Sequence, residues 1–166
     1  MSTKGNLKTA FAGESQANQK YLAYAEKAER DGYPVVARLF RGVAAAEAIH
    51  ARNHLKALDG VKSTIDNLAD AQGGEDYEIK EMYPPMLAEA EAEGDKKAAR
   101  SMHFALEVEK VHYELYGMAI AAVTDGKDLA EAKVRICPIC GHTVIGDAPD
   151  RCPVCGCIGE RYTEVV

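Results

Sequence analysis

Apolar residues recur at helical spacing through most of the first 124 residues, and glycine and proline divide this pattern into segments. Ser2 or Thr3 can cap the first segment, and Thr64 can cap the third. Pro34 suits the first turn of the second segment, and the short break before it makes the first two helices antiparallel neighbours. The pattern therefore predicts four helices, with approximate bounds at residues 3–30, 34–58, 65–93 and 96–123.

One carboxylate interrupts the apolar stripe of the first helix. The stripe consists of Leu7, Phe11, Glu14, Tyr21 and Ala25. An unpaired buried charge is costly, so Glu14 lies either at the solvated edge of the stripe or beside a partner that offsets its charge. Taken alone, this position favours the solvated edge.

A short motif in the second helix recurs in the fourth. Glu47-Ala48-Ile49-His50 has a counterpart in Glu109-Lys110-Val111-His112. A spacing of three residues puts the carboxylate and the imidazole of each motif on the same side of a helix. Inward-facing Glu-x-x-His motifs on two helices, with a glutamate from each of two others, form the ligand set of a di-metal carboxylate site in a helical bundle.

An internal repeat supplies the two remaining glutamates. The positions from Thr3 to Glu14 recur from Thr64 to Glu75, with Thr, Asn, Leu, Ala, Gly and Glu at the same spacings. The repeat continues with an offset one residue longer, since Ala37-Arg38, before the first Glu-x-x-His motif, recurs as Ala99-Arg100 before the second. Two copies of a helix pair, each carrying Glu and then Glu-x-x-His, predict one four-helix bundle.

These motifs predict a metal site made of carboxylates and imidazoles. Its proposed ligands are Glu14, Glu47, His50, Glu75, Glu109 and His112. Glu78, one turn after Glu75, adds a fifth carboxylate. So many negative charges would repel each other in an apolar core unless two cations offset them. Oxygen ligands with two imidazoles suit iron or manganese better than copper or structural zinc. On an acidic chain a single Glu-x-x-His arises by chance, whereas two in a repeated frame do not.

Two tyrosines follow the first glutamate of each repeat at similar distances. Tyr21 lies seven residues after Glu14, and Tyr83 lies eight after Glu75. Helical side chains lean toward the N-terminus, so both phenols could hydrogen-bond to ligand carboxylates. Packing in the core is the competing interpretation.

The third helix contains Pro84-Pro85. This pair predicts a kink or break there, because proline removes backbone hydrogen bonds.

All five cysteines lie between Cys137 and Cys157, close to the end of the sequence. Cys137-Pro-Ile-Cys140-Gly and Cys152-Pro-Val-Cys155-Gly are two Cys-x-x-Cys knuckles, and Cys157 lies outside their frame. Four thiolates so spaced predict a tetrahedral metal site, with iron and zinc both open on this pattern alone. So short a segment cannot build an adequate core, and its folding should therefore depend on the metal.

Composition narrows the classes of function. The chain has 166 residues, 47% of them hydrophobic, and a net charge of −6, which argues against a nucleic-acid partner. Its first residues lack the apolar core of a signal peptide, and no uncharged run is long enough to span a membrane. A cytoplasmic protein is expected. In that setting, clustered cysteines indicate metal binding before disulfides.

The residues resemble the rubrerythrin family across essentially the whole chain. The resemblance rests on Phe11–Ala17, Glu47–His54, Glu81–Pro84, Glu109-x-x-His112 and the closely spaced knuckles. It implies a ferritin-like di-iron four-helix bundle over residues 1–131 and a rubredoxin-like domain with one iron on four cysteines over residues 132–166. Three irons per chain follow. Pro85 and Cys157 depart from the family pattern.

The resemblance also implies a function. Members reduce hydrogen peroxide to water at the di-iron centre, in oxidative-stress defence, with electrons delivered through the rubredoxin-like iron. The activity is NADH-linked through a donor protein such as a rubredoxin or its reductase. Glu78 breaks the symmetry of the repeat, where Ala17 is its counterpart, and one iron is understood to exchange this carboxylate for His50 on reduction. Glu78 and His50 are thus the expected catalytic residues.

Two further functions and the assembly remain to be distinguished. A ferritin-like ferroxidase or iron-handling protein would need neither Glu78 nor the cysteine tail. A zinc-ribbon interaction module on a structural bundle would be colourless, because zinc bound to four thiolates does not absorb visible light.

His112 lies near the middle of a long helix, so the tail is expected to emerge some distance from its own di-iron site. That distance predicts a homodimer or larger assembly in which each tail serves the partner's bundle. Whether the helix pairs close within one chain or swap between two is open.

Overall fold

The four predicted helical segments are all present in a computed structural model, which describes residues 2–130 and 133–165. Their bounds are α1 Thr3–Arg30, α2 Pro34–Ala57, α3 Thr64–Tyr77, α4 Tyr83–Glu93 and α5 Lys96–Thr124. A π-helical turn, Glu78–Met82, joins α3 to α4, so these two form the single segment expected from the sequence. The mainly α fold class is confirmed.

Serine, rather than threonine, is the N-cap residue of the first helix in both repeats. The side-chain oxygens of Ser2 and Ser63 accept hydrogen bonds from the backbone N–H groups of Gly5 and Asp66. The prediction that Thr64 caps the third helix is therefore wrong, and the cap lies one residue earlier. The serines occupy equivalent positions in the two copies, which extends the repeat by one residue.

The helices α1 and α2 form a compact unit, Met1–Lys62. Their contact is lined by small side chains, because alanine recurs at every seventh position of α2, at Ala37, Ala44 and Ala51, and all three are buried. Alanine at this spacing forms a narrow seam along which two helices approach closely. Asn18 of α1 fixes the register by donating a hydrogen bond of 2.7 Å to the backbone oxygen of Ala44.

The π turn is the local response to the two prolines. Proline lacks an N–H group, and Pro84 and Pro85 occupy the first turn of α4. Just before them, the N–H of Tyr83 donates to the oxygen of Glu78, five residues earlier. The helix thus stays continuous and widens by one residue, so the predicted break is absent, and the kink stays a prediction. Glu78, the fifth carboxylate of the proposed site, is the first residue of this turn.

The second compact unit, Ser63–Val166, contains α3 to α5 and the cysteine tail. The tail is a three-stranded antiparallel sheet of order β2-β1-β3, made of β1 Val134–Ile136, β2 Thr143–Ile145 and β3 Thr163–Val165. Ile136 of β1 pairs with Thr143 on one side and with Thr163 on the other. The proposed domain boundary between residues 131 and 132 lies outside the described residues and stays a prediction. Across the described residues, no helix is long and apolar enough to cross a membrane.

Candidate metal centres

Three of the proposed ligands meet in the unit formed by α1 and α2. The Nδ1 atom of His50 lies 2.9 Å from a carboxylate oxygen of Glu47 and 3.9 Å from one of Glu14. All three ligand atoms lie within 4.8 Å of one another. Ligands bound at about 2.1 Å to one first-row ion lie about 3 to 4 Å apart, so this cluster fits a metal ion.

The unit formed by α3 to α5 repeats this geometry. The Nδ1 atom of His112 lies 2.7 Å from an oxygen of Glu109 and 3.9 Å from one of Glu75. Here the two carboxylates are 16% exposed and the imidazole 26%, whereas the side chain of His50 is 53% exposed. The internal repeat of the sequence is thus also a repeat of ligand geometry, with the second histidine more enclosed than the first.

Glu78 and Tyr83 lie beside the second cluster. Burial and the negative charge of Glu75 raise the pKa of the Glu78 carboxyl. Burial also raises the pKa of the Tyr83 phenol, and the charges of Glu78, Glu109 and Glu75 raise it further. The phenol therefore stays protonated beside three carboxylates, as a hydrogen-bond donor would. The first cluster has no counterpart of Glu78 because Ala17 occupies that place.

These shifts predict how the stability of the metal-free protein depends on pH. Burial and repulsion by Glu109 raise the pKa of Glu75 from 4.5, so the folded chain holds protons that the unfolded chain has released. The stability from Glu75 and Glu78 is fully present below about pH 4.5 and is lost as pH rises through the raised values. Urea unfolding, followed by helical circular dichroism, should show a larger loss toward neutral pH in wild type than in Glu75→Gln/Glu78→Gln. Glu81→Gln, in the same π turn, is the control. Parallel pH profiles for wild type and the double variant would contradict the assignment.

Tyr21 lies in an aromatic cluster. Its ring centroid is 6.2 Å from those of both Tyr24 and Phe40, and the latter two rings meet edge to face at 5.7 Å. This environment matches the packing alternative for Tyr21, whereas Tyr83 lies near the charges of Glu78, Glu109 and Glu75, and its hydrogen bonding to them stays a prediction. A role for Tyr21 at the metal ligands stays a prediction.

The four knuckle cysteines converge at one point of the tail. The sulfur atoms of Cys137 and Cys155 are 3.6 Å apart, and those of Cys140 and Cys152 are 3.5 Å apart. A disulfide requires about 2.05 Å, whereas a tetrahedron with metal–sulfur bonds of about 2.3 Å has edges of about 3.8 Å. Cys137 and Cys152 are buried. The cluster therefore fits a four-thiolate metal ion.

The two knuckles share one backbone geometry. In each, the glycine N–H donates to the first cysteine's oxygen, from Gly141 to Cys137 and from Gly156 to Cys152, and both glycines have positive φ. The N–H of the first cysteine donates to the oxygen two residues beyond the second, which belongs to His142 in one knuckle and to Cys157 in the other. Cys157 thus occupies the place equivalent to His142 and is not a fifth member of the thiolate cluster.

Tyr162 stabilises the thiolate form of one ligand. Burial disfavours the Cys152 thiolate, but hydrogen bonds from the Tyr162 hydroxyl and from the backbone N–H groups of Cys155 and Val154 outweigh it, lowering the pKa of Cys152 to about 6. The buried Tyr162 hydroxyl also lies 2.9 Å from Nδ1 of His142. Metal binding requires thiolates, so this arrangement prepares the cluster for a cation. Sequence analysis missed both residues because neither belongs to a spacing motif.

The tail contacts the second carboxylate cluster within its own chain. The hydroxyl oxygen of Thr143, on β2, lies 3.0 Å from Nε2 of His112, on α5. The expectation that the tail emerges far from its own ligand residues is therefore wrong for the cluster on α3 to α5. Position along the helix was an unreliable guide, because the chain after α5 brings the ribbon back against that helix. No sequence signal pointed to Thr143, because it belongs to no motif and its partner is distant along the chain.

Comparison with known proteins agrees with this geometry. The family model for rubrerythrin matches residues 5–120. Rubrerythrin-2 of Clostridium acetobutylicum is 39% identical, with 94% of this chain and 92% of that protein covered. Nigerythrin of Nitratidesulfovibrio vulgaris is 37% identical, with 93% and 82% covered.

Solved structures of nigerythrin are similar over almost the whole chain. The mixed-valence state aligns with a TM-score of 0.58 at 36% identity, covering 99% of this chain and 87% of that one. The fully reduced, all-ferrous state gives a TM-score of 0.59 at 35% identity with the same coverage. With the family model and the curated relatives, these matches establish that the chain belongs to the rubrerythrin family.

Proposed function

We propose that this protein is a non-haem di-iron peroxidase that reduces hydrogen peroxide to water in oxidative-stress defence. The observation that supports it best is the repeated cluster of two glutamates and a histidine, with Nδ1-to-oxygen distances of 2.9 and 3.9 Å in one copy and 2.7 and 3.9 Å in the other. The four-thiolate cluster supports a third, electron-transferring iron. Nigerythrin, a relative, has been solved in mixed-valence and all-ferrous states.

In this proposal the carboxylate and histidine ligands of the chain hold two irons. When bound, these irons would supply the two electrons that, with two protons, convert hydrogen peroxide to two molecules of water. Glu14, Glu47, Glu75 and Glu109 neutralise the cations, and His50 and His112 contribute nitrogen. Tyr83 holds the second cluster's carboxylates by hydrogen bonding, in agreement with the raised pKa of its phenol.

Glu78 and His50 are the residues proposed to change their role during turnover. Glu78 offers an anionic oxygen, which suits ferric iron, whereas His50 offers a neutral nitrogen, which suits ferrous iron. His50 is half-exposed and its polar contacts in the described structure are both made by Nδ1, so its ring is loosely held. Glu78 lies in the π turn, a feature that often marks functional sites.

Electrons would enter through the rubredoxin-like iron on Cys137, Cys140, Cys152 and Cys155. The proposed donor is a rubredoxin or its reductase, linked to NADH, in the cytoplasm. A homodimer or larger assembly is also proposed.

A ferritin-like ferroxidase or iron-handling protein is the alternative function. Glu78 and the thiolate tail favour the peroxidase, because iron storage requires neither of them.

Metal analysis of protein purified without oxygen from iron-replete cells tests the proposal. We expect three irons per chain, visible absorption from ferric thiolate, and consumption of hydrogen peroxide without release of iron. Zinc on the four cysteines, giving a colourless tail, would remove the electron-entry role. Oxidation of free ferrous ions into a mineral would favour the alternative.

Replacing Glu78 with alanine should separate iron binding from turnover. Both repeated clusters of two glutamates and a histidine stay complete in this variant, so both irons should be retained, whereas peroxide turnover should fall about 10- to 100-fold. Stopped-flow peroxide consumption and iron analysis on the same sample measure the two effects. Glu81→Ala is the matched control, since Glu81 is exposed in the same π turn. Unchanged kinetics in a fully loaded Glu78→Ala protein would remove Glu78 from the mechanism.

A further inference from the structure

The tail rests on α5 through its first knuckle. Gly141 has φ +86° and lies against the buried Val108, since a Cβ built at Gly141 would meet Val108 Cγ1 at 3.8 Å. One helical turn after Val108, Nε2 of His112 lies 3.0 Å from the hydroxyl oxygen of Thr143. An apolar contact and a polar one thus join the ribbon to the helix that carries two of the proposed iron ligands.

The Thr143 hydroxyl can hydrogen-bond to two groups at once. It donates to the backbone oxygen of Gly141 at 3.0 Å, and its oxygen can accept from His112 when a metal ion binds Nδ1 and the proton lies on Nε2. A neutral imidazole with its proton on Nε2 has its lone pair on Nδ1. That nitrogen is the one that faces Glu109 and Glu75.

We propose that Thr143 is a positioning residue for His112: it fixes the Nε2–H tautomer and the ring orientation that make Nδ1 a metal ligand. The inference rests on the proposed function in taking His112 as a ligand. Hydrogen bonds to the far nitrogen of a ligand histidine fix its tautomer and raise its basicity. The tail thereby contributes to the carboxylate site of its own chain as a structural support, in addition to any electron transfer.

The two histidines of the repeat differ in this respect. The side chain of His112 is 26% exposed and has a partner on each ring nitrogen, whereas that of His50 is 53% exposed, with both of its described contacts on Nδ1. The repeat in the sequence gives no reason for this difference, because the helix pairs are equivalent there. The contact of Thr143 in the tail with Nε2 of His112 accounts for the difference. His112 is the fixed ligand and His50 the one free to move.

Three full-length variants test the role of Thr143. Thr143→Val removes the hydroxyl and keeps the shape, Thr143→Ser keeps the hydroxyl, and Thr163→Val is the matched control. Thr163 pairs with the same residue, Ile136, from the opposite edge of the sheet. The affinity of the carboxylate clusters for Fe²⁺ is measured anaerobically by chelator competition, with the tail already loaded. The hydrogen bond of His112 is read from the ¹⁵N chemical shifts of both ring nitrogens in protein loaded with Zn²⁺ at the tail and at the carboxylate clusters, because without a cation the Glu109 carboxylate, 2.7 Å away, keeps a proton on Nδ1.

We expect Thr143→Val to weaken Fe²⁺ binding about 10- to 100-fold and to move the ¹⁵N shift of Nε2, because that N–H loses its hydrogen-bond acceptor. Thr143→Ser and Thr163→Val should resemble wild type. Equal affinity and an unchanged Nε2 shift in Thr143→Val would overturn the inference and leave the proposed function standing. If wild type bound no Fe²⁺ at the carboxylates, the proposed function and the ligand role of His112 would both fail.

Discussion

Replacing Glu109 with alanine should abolish peroxide turnover by removing iron from the carboxylate site. The Glu109 carboxylate is 16% exposed and lies 2.7 Å from Nδ1 of His112, so in the proposed site it would supply both a negative charge and an oxygen ligand. Loss of a residue that only hydrogen-bonds to a metal ligand typically weakens metal binding about 10- to 100-fold. Loss of a residue that binds the metal directly should weaken iron binding by more than this. Iron analysis should find about one iron per chain, on the four cysteines, and peroxide consumption should fall to background.

The control for this variant lies on the same helix. Glu107 is two residues before Glu109 and forms an exposed ion pair with Lys110. Exposed pairs contribute little to stability, so Glu107→Ala should keep all three irons and wild-type turnover. If Glu109→Ala retained two irons at the carboxylates, the proposed ligand set would be incorrect.

Electrons should reach the carboxylate site from the tail of the same chain. The sequence alone predicted delivery between subunits, on the premise that the tail lies far from its own bundle. The contact of Thr143 with His112 removes that premise for the cluster on α3 to α5. Mixing Cys152→Ser/Cys155→Ser chains, which lack the tail iron, with Glu109→Ala chains should therefore fail to restore donor-dependent turnover.

The mixing experiment depends on proof that subunits exchange. Differently tagged chains should co-purify after mixing, and wild-type chains carried through the same treatment should keep their activity. The serine variant alone should still react with peroxide once after chemical reduction, because its carboxylate ligands are intact. Recovery of donor-dependent activity in the exchanged mixture would show that a tail serves a partner subunit and would contradict delivery within one chain.

Local pattern was sufficient to predict the helices and which of the proposed ligand residues lie close together. A spacing of three on a helix determines which side chains share a face, so Glu47 with His50 and Glu109 with His112 could be paired from the sequence, and the structure brings each pair to within 2.9 Å. The knuckles behaved similarly, because a Cys-x-x-Cys-Gly turn determines its own geometry. Comparison with relatives then confirmed the family.

Features that depend on contacts between distant segments could not be predicted in the same way. The π turn satisfies a local conflict at Pro84-Pro85, but several local solutions exist and the sequence does not select one. Thr143 and Tyr162 act through partners that are distant along the chain, His112 and His142, and no periodicity encodes such a contact. The position of the tail failed as a prediction for this reason, since distance along a helix says nothing of where the following chain returns.

The most direct test of the proposed function is the reoxidation of the tail by hydrogen peroxide. Fully reduced wild type and Glu109→Ala are mixed with peroxide in a stopped-flow instrument, and the visible absorption of ferric thiolate is followed. In wild type, the absorption should return rapidly as electrons leave the tail for the carboxylate site, whereas in Glu109→Ala it should return only at the slow rate of direct oxidation. Equal rates in the two proteins would contradict the account, because peroxide would then be reduced without the carboxylate–histidine site.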